Sequence, residues 1–252
     1  MTEQTTAELL QQGLFHHRQG QIPLAMERYM AVLQADPENT EALYYVAVVA
    51  CQEGQFAEGA DLARRALALG ADEARLHNLL GKALDRLGQP LEAVTSFDRA
   101  IAADPNFAEA HGNRANILVD AGLPAEALKG FDRALALNPN SADDWLNRGA
   151  TLYGLGRPDE AVASYDRAIA LDPDLPVAHL NRARALSDRG RLAEALDGCD
   201  RAIALVPRFA EAHRGRAQAL EKLGRQEEAQ ASLDMAAALE AQARAGGATA
   251  AE

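Results

Sequence analysis

One segment recurs through the chain at a constant step. It reads DRAIAADP at 98–105, DRALALNP at 132–139, DRAIALDP at 166–173 and DRAIALVP at 200–207, and the step is 34 residues each time. A period of that size decides the architecture. Each copy is one supersecondary unit that buries its apolar face against its neighbours, so the chain folds as a stack rather than around a single closed core. Counting back from the prolines gives seven copies: 6–39, 40–73, 74–107, 108–141, 142–175, 176–209 and 210–243. They are predicted to form one array. Residues 1–5 read as a short N-terminal extension, and 244–252, rich in Ala and Gly, as a flexible tail.

Every copy holds a glycine at one place: Gly20, Gly54, Gly88, Gly122, Gly156, Gly190 and Gly224. Segments of helical periodicity flank it on both sides. The glycine ends the first helix and lets the chain reverse, so each copy is predicted to be an antiparallel helical hairpin and the fold class is all-α. Small residues mark the contacts inside a hairpin. Gly81, Ala115, Gly149 and Ala183 lie on first helices, and Ala93, Ala127, Ala161 and Ala195 on second helices. Phe97, Phe131 and Tyr165 fill the space between.

The copies can be read as an internal alignment. Asp98, Asp132, Asp166 and Asp200 share one place on second helices, and Arg114, Arg148, Arg182 and Arg216 share one on first helices. Each Arg follows an Asp of the preceding copy by 16 residues. Where the Asp is missing the next Arg is missing too: Met30 precedes Val46, and Arg64 precedes Leu80. This pattern predicts ion pairs that join one hairpin to the next, and assigns the arginine row to stacking rather than to phosphate binding.

The pattern resembles the tetratricopeptide repeat, W-x2-L-G-x2-Y, then A-x3-F, then P. WLNRGATLYGLGRPDEAVASYDRAIALDP at 145–173 follows it closely, with Arg148 in place of the Leu and Leu152 in place of the Tyr. The resemblance spans all seven copies. It implies a right-handed superhelical solenoid whose first helices line a concave face, and a protein-binding scaffold. The first two copies diverge, with Gly59 where alanine is usual and Ala71 where proline is usual. Their sequence looks like the opening repeats found in front of bacterial O-linked sugar transferase domains, although no catalytic domain follows. The last copy reads as a cap: Gln230 stands where the earlier copies carry Met26, Ala60, Val94, Leu128, Val162 and Leu196, and a terminal repeat needs a polar outer face.

Charge and composition narrow the function. A net charge of -12 argues against nucleic acid, whose binding rests on a basic surface, and against an anionic membrane. Cys51 and Cys199 fall in distant copies and are predicted to be reduced thiols. Met1–Leu10 lacks the basic start and apolar run of a secretory signal. No stretch approaches the ~18 apolar residues of a membrane span. The predicted location is the cytoplasm. Three lysines against 22 arginines, with abundant alanine, suggest a bacterial source.

No catalytic chemistry survives comparison with the repeat. His77, His111, His179 and His213 share one place with Trp145, one per hairpin, so they are too dispersed to ligate one metal; they are assigned to helix packing. His16 and His17 lack a metal-motif context. Glu92, Glu126, Glu160 and Glu194 are also one per copy and read as helix-solvating. The expectation is a protein with no enzymatic activity, no cofactor and no metal.

Function is expected on the first helices. Residues spaced four, three and four apart form one stripe: Glu109, Asn113, Asn116 and Asp120 in the fourth copy; Asp143, Asn147, Ala150 and Gly154 in the fifth; Val177, Asn181, Arg184 and Asp188 in the sixth. Asn113, Asn147 and Asn181 thereby form a ladder. An amide offers both donor and acceptor to the backbone of an extended peptide, or serves the neighbouring helices. Three such bonds at ~0.5–1.5 kcal/mol net fall short of the about 8 kcal/mol of micromolar binding. Apolar anchors are needed, and the candidates are Leu10, Leu14, Tyr44, Tyr45 and Val48 in the first two copies, with Tyr153 and Leu180 further along. Lys82, with Arg75 and Arg86, forms a local basic spot. Family members that hold a C-terminal carboxylate use a Lys, Asn and Arg clamp. Here Lys82 follows Asn78 by one turn, but Gly112 and Asn113 follow in the next copy, so the clamp's spacing is absent. The reading is a scaffold, monomeric or weakly self-associating, that binds a protein segment or extended peptide in its groove. The alternatives are a substrate-selecting array for a separate glycosyltransferase and a self-assembling structural protein.

Overall fold

The computed structural model describes residues 5–248. Fourteen helices make up the described residues, two per copy, with no strand among them. The chain divides into two compact units, Met1–Ala121 and Gly122–Glu252. The sequence, in which seven equal steps run without interruption, predicts one array and gives no sign of this division, which falls between the two helices of the fourth copy.

In the first unit α1 (Thr6–Arg18) pairs with α2 (Ile22–Ala35), α3 (Thr40–Gln52) with α4 (Phe56–Ala68), and α5 (Ala74–Arg86) with α6 (Pro90–Ala103); α7 (Ala108–Asp120) packs on α5 and α6. In the second unit α8 (Pro124–Leu137) precedes the hairpins α9 (Ala142–Gly154)/α10 (Pro158–Leu171), α11 (Pro176–Asp188)/α12 (Leu192–Leu205) and α13 (Ala210–Lys222)/α14 (Gln226–Ala248).

Local sequence explains the ends. Proline opens α6, α8, α10 and α11, where its missing N–H costs nothing. Asn39 and Ser141 cap α3 and α9 by accepting from the backbone N–H of Ala42 and Asp144. Gly88 closes the turn after α5 at φ +72°, a left-handed conformation that only glycine adopts without penalty. The second copy, lacking proline at Ala71, ends α4 with a second such glycine, Gly70 at φ +91°.

Close packing inside the hairpins is set by glycine facing an aromatic ring. A Cβ on Gly81 would lie 2.6 Å from Phe97, and one on Gly149 would lie 2.6 Å from Tyr165. Both rings are buried, and each such side chain contributes about 1.5–3 kcal/mol. Gly59 replaces the usual alanine because the Cys51 sulfur occupies the space a Cβ would take.

The last helix corrects the predicted tail. Residues 244–248 continue α14, extending it past an Arg244–Glu240 pair one turn apart at 3.7 Å. Of the predicted tail, 249–252 lie outside the described residues, as do residues 1–4 of the N-terminal extension. Thr5 caps α1 in a reciprocal capping box with Glu8.

The four predicted inter-hairpin pairs form. The guanidinium Nε of each Arg donates to its Asp: Arg114 to Asp98 at 2.6 Å, Arg148 to Asp132 at 2.7 Å, Arg182 to Asp166 at 2.5 Å and Arg216 to Asp200 at 2.6 Å. Two of them carry a second bond that the pairing pattern does not announce. Arg148 Nη1 donates to Ser164 at 2.7 Å and Arg216 Nη1 to Ser232 at 2.8 Å.

Candidate functional site

The histidine row has a structural use. His111, His179 and His213 donate from Nε2 to the carbonyls of Pro105, Pro173 and Pro207 at 2.9–3.0 Å. Trp145 does the same through its indole N–H to Pro139 at 2.9 Å. A carbonyl only accepts, so each imidazole carries its proton on Nε2. His77 departs from the row. Without a proline at Ala71 its Nε2 meets Asp72 at 2.6 Å. Glu160 and Glu194 each clamp an arginine, Arg157 and Arg191, at 2.6–2.7 Å on exposed helix starts. These carboxylates are held below their usual range, first by that hydrogen bond. Among the described residues no group of three or more His, Cys, Asp or Glu is placed to hold a metal ion. No helix there is long and apolar enough to cross a membrane.

Two grooves lie on first helices. The first, of about 450 Å³, runs across α3, α5 and α7 in the first unit. It brings together four of the residues singled out from sequence: Tyr44, Lys82, Asn113 and Asn116. Its apolar wall is Tyr44, Val48, Phe56, Leu79 and Phe107. Two of these rings are held by arginines that line the same groove, Tyr44 by the Arg75 guanidinium at 4.5 Å and Phe56 by Arg86 at 4.6 Å. Arg75 is itself anchored by Glu41 and by Glu73 at 2.6 Å. Burial raises the Tyr44 phenol, with Arg75 working against it, so the hydroxyl stays protonated at neutral pH.

The polar floor is a connected network. Asn113 Nδ2 donates to Asn78 Oδ1 at 3.1 Å, and Lys82 Nζ pairs with Glu109 at 2.8 Å. Burial works to raise the Glu109 carboxyl. The Lys82 bond and charge, with donors from Asn78 and Asn113, outweigh it and hold the group below the usual carboxylate range. Part of the hydrogen-bonding capacity of Asn113 is thus spent on the neighbouring helix.

Other candidates fall elsewhere. Tyr45 occupies the ladder's place on α3, yet its ring stacks on Tyr29 at 5.2 Å and meets His17 edge-on. Asn147 and Asn181 belong to the second unit and are half-buried on α9 and α11. The second groove, about 420 Å³ over α9, α11 and α13, contains Tyr153 and Arg184 but neither asparagine. Tyr153 donates to Asp188 at 2.6 Å, and that bond, then burial, raises its phenol. Arg214, Gln218 and Lys222 of this groove were not among the sequence candidates. Extending the four-three-four stripe into the last copy gives Glu211, Gly215, Gln218 and Lys222, which reaches two of the three.

Family profiles described as tetratricopeptide repeat match residues 16–83, 78–142, 113–176, 146–207 and 180–248. No curated protein matches the chain. Among solved structures, MamA is similar at 22% identity and TM-score 0.62, covering 66% of this chain and 96% of that one. YrrB, described as a TPR protein with an unusual peptide-binding site, is similar at 21% identity and TM-score 0.61, covering 73% and 95%. PilF of Pseudomonas aeruginosa is similar at 18% identity and TM-score 0.69, covering 77% and 88%. At these identities the likeness is one of fold.

Proposed function

The chain belongs to the tetratricopeptide-repeat family, and from that premise we propose that it is a non-catalytic scaffold whose first-unit groove binds an extended protein segment. The observation that carries this is convergence. Tyr44, Lys82, Asn113 and Asn116 come from three separate helices and meet in one groove with an apolar wall and an amide-rich floor. The peptide site ascribed to YrrB supports the reading. The wall supplies what the amides lack. Two apolar side chains seated against Tyr44, Phe56 and Phe107, at about 1.5–3 kcal/mol each, lift a few hydrogen bonds into the micromolar range. The rings and amides are already fixed by arginines and by one another, so little ordering entropy is lost on binding. The thiols of Cys51 and Cys199 are unpaired, which fits a reducing cytoplasm.

The test is selection of a random 12-residue peptide library on the full chain. Affinities of the enriched peptides are then compared for wild type, Asn116→Arg and Tyr44→Ala. The expected result is at least a tenfold loss in both variants with helicity unchanged. Enriched peptides that bind both variants as well as wild type refute the assignment. Failure to enrich any peptide, together with a concentration-dependent increase in mass by light scattering, favours self-assembly. The alternative as a substrate-selecting array for a separate glycosyltransferase rests on the sequence of the first two copies, and predicts co-purification with such an enzyme.

A further inference from the structure

We infer that the second-unit groove over α9, α11 and α13 is a separate docking site for an acidic polypeptide segment. The chain carries a net charge of -12, yet the charged residues lining this groove are Arg184, Arg214 and Lys222 against Asp188 alone. Two of the three cations are uncompensated. Arg184 is exposed and makes no hydrogen bond or ion pair among the described residues. Lys222 is exposed and bonds only neutral acceptors, the Ser187 hydroxyl at 2.9 Å and the Ser187 carbonyl at 3.5 Å. Arg214 is paired with Glu240 at 2.8 Å, and with Glu211 at 3.8 Å. The one acid, Asp188, already accepts the Tyr153 hydroxyl. It is therefore satisfied in place and is not positioned by either free cation.

The arrangement selects for chain chemistry as well as for charge. Gln218 stands exposed between Arg214 and Lys222 on α13, an amide able to give and accept backbone hydrogen bonds. Gly215 takes the ladder's place on the same helix. A Cβ there would lie 3.1 Å from the buried Leu180 side chain and from the Cys199 sulfur, so the glycine lets α13 pack closely on its neighbours and sends no side chain of its own into the groove. Two free cations beside an amide suit carboxylate side chains on an extended strand of chain. They are too few for the phosphate track of a nucleic acid, whose affinity scales with the number of phosphates neutralised. This site shares no residue with the first-unit groove and stands or falls independently of it.

The experiment uses the full chain and fluorescein-labelled hexaglutamate, with hexaglutamine as the neutral counterpart and a 12-residue oligothymidylate as the alternative polyanion. Anisotropy is read at 20 mM and 150 mM salt. The expected result is binding of hexaglutamate at least tenfold tighter than hexaglutamine at low salt, weakened several-fold at high salt. Arg184→Glu and Lys222→Glu are each expected to reduce it at least fivefold with unchanged far-UV circular dichroism. Asn116→Arg, in the other groove, is expected not to reduce it. Equal binding of both peptides overturns the proposal, as does unchanged hexaglutamate affinity in both reversal variants. Tighter binding of the oligothymidylate, lost in the same variants, overturns the choice of polypeptide.

Discussion

Arg148 has two arms, one to Asp132 of the preceding copy and one to Ser164 of its own hairpin, and Arg148→Leu removes both. The Asp132 arm joins a carboxylate side chain 52% exposed to a guanidinium 21% exposed, so solvent screening limits it to about 0.2–1 kcal/mol. The Ser164 arm is different. Ser164 is fully buried and accepts from Arg148 at 2.7 Å while donating to the Glu160 carbonyl at 3.1 Å. A hydrogen bond from a charged donor contributes about 1.5–3 kcal/mol, and the retained Glu160 bond and the leucine's own packing offset part of its loss. The expected net cost is about 2 kcal/mol, or ~4–8 °C in Tm for a chain of this size. Urea denaturation of the full chain, with the m-value checked for constancy, measures it. Arg182 is the internal control. It keeps its aspartate at 2.5 Å, but Gly198 stands where the serine would be, so Arg182→Leu should cost about 1 kcal/mol or less. Arg216→Leu, with Ser232 present and His213 in place of Trp145, should fall with Arg148→Leu. Equal costs for Arg148→Leu and Arg182→Leu would refute the argument that the buried serine, not the ion pair, is the stronger arm.

Other outcomes follow from the same packing. Gly149→Ala forces a Cβ to within 2.6 Å of the buried Tyr165 ring and should cost about 1–3 kcal/mol. Adding Tyr165→Cys, which copies the Ala183/Cys199 pair of the next hairpin, should cost less than the sum of the two single changes by thermal denaturation. Burial pushes the Cys199 thiol up to about 12, so it remains protonated and slow toward a thiol reagent at pH 8. Cys51, less buried, should be labelled first, and Cys199 only when urea opens the fold; equal rates would count against this. Asn113→Ala removes the donor that holds Asn78 and should lower stability by about 1 kcal/mol by urea denaturation.

The hairpins, their turns and their junctions were legible because each recurs. A glycine at every thirty-fourth place and an Arg that vanishes together with its Asp are patterns one chain can display about itself. What recurs only partly was harder to read. The serine arm alternates, with Ser96, Gly130, Ser164, Gly198 and Ser232 in successive copies, and it belongs to a second helix while the Arg belongs to a first. The Asn ladder looked like one row because equivalent places were equated with equivalent roles. Asn113 spends a donor on Asn78, an asparagine found at that place in a single copy, and Tyr45 at the same place is drawn onto Tyr29 and His17. Phe56 and Phe107 line the groove from a second-helix start and an inter-copy loop, positions that a first-helix stripe cannot reach. The division at Gly122 leaves no trace in a period that runs straight through it.

The most direct test of the scaffold reading is a nuclear magnetic resonance titration of the full chain with its best selected peptide, following side-chain amide and ring signals. The account predicts that the largest perturbations fall on Asn78, Asn116 and the Tyr44 and Phe56 rings, saturating at one common affinity. Perturbations confined to the second helices α2 and α6, with those signals unmoved, would contradict it.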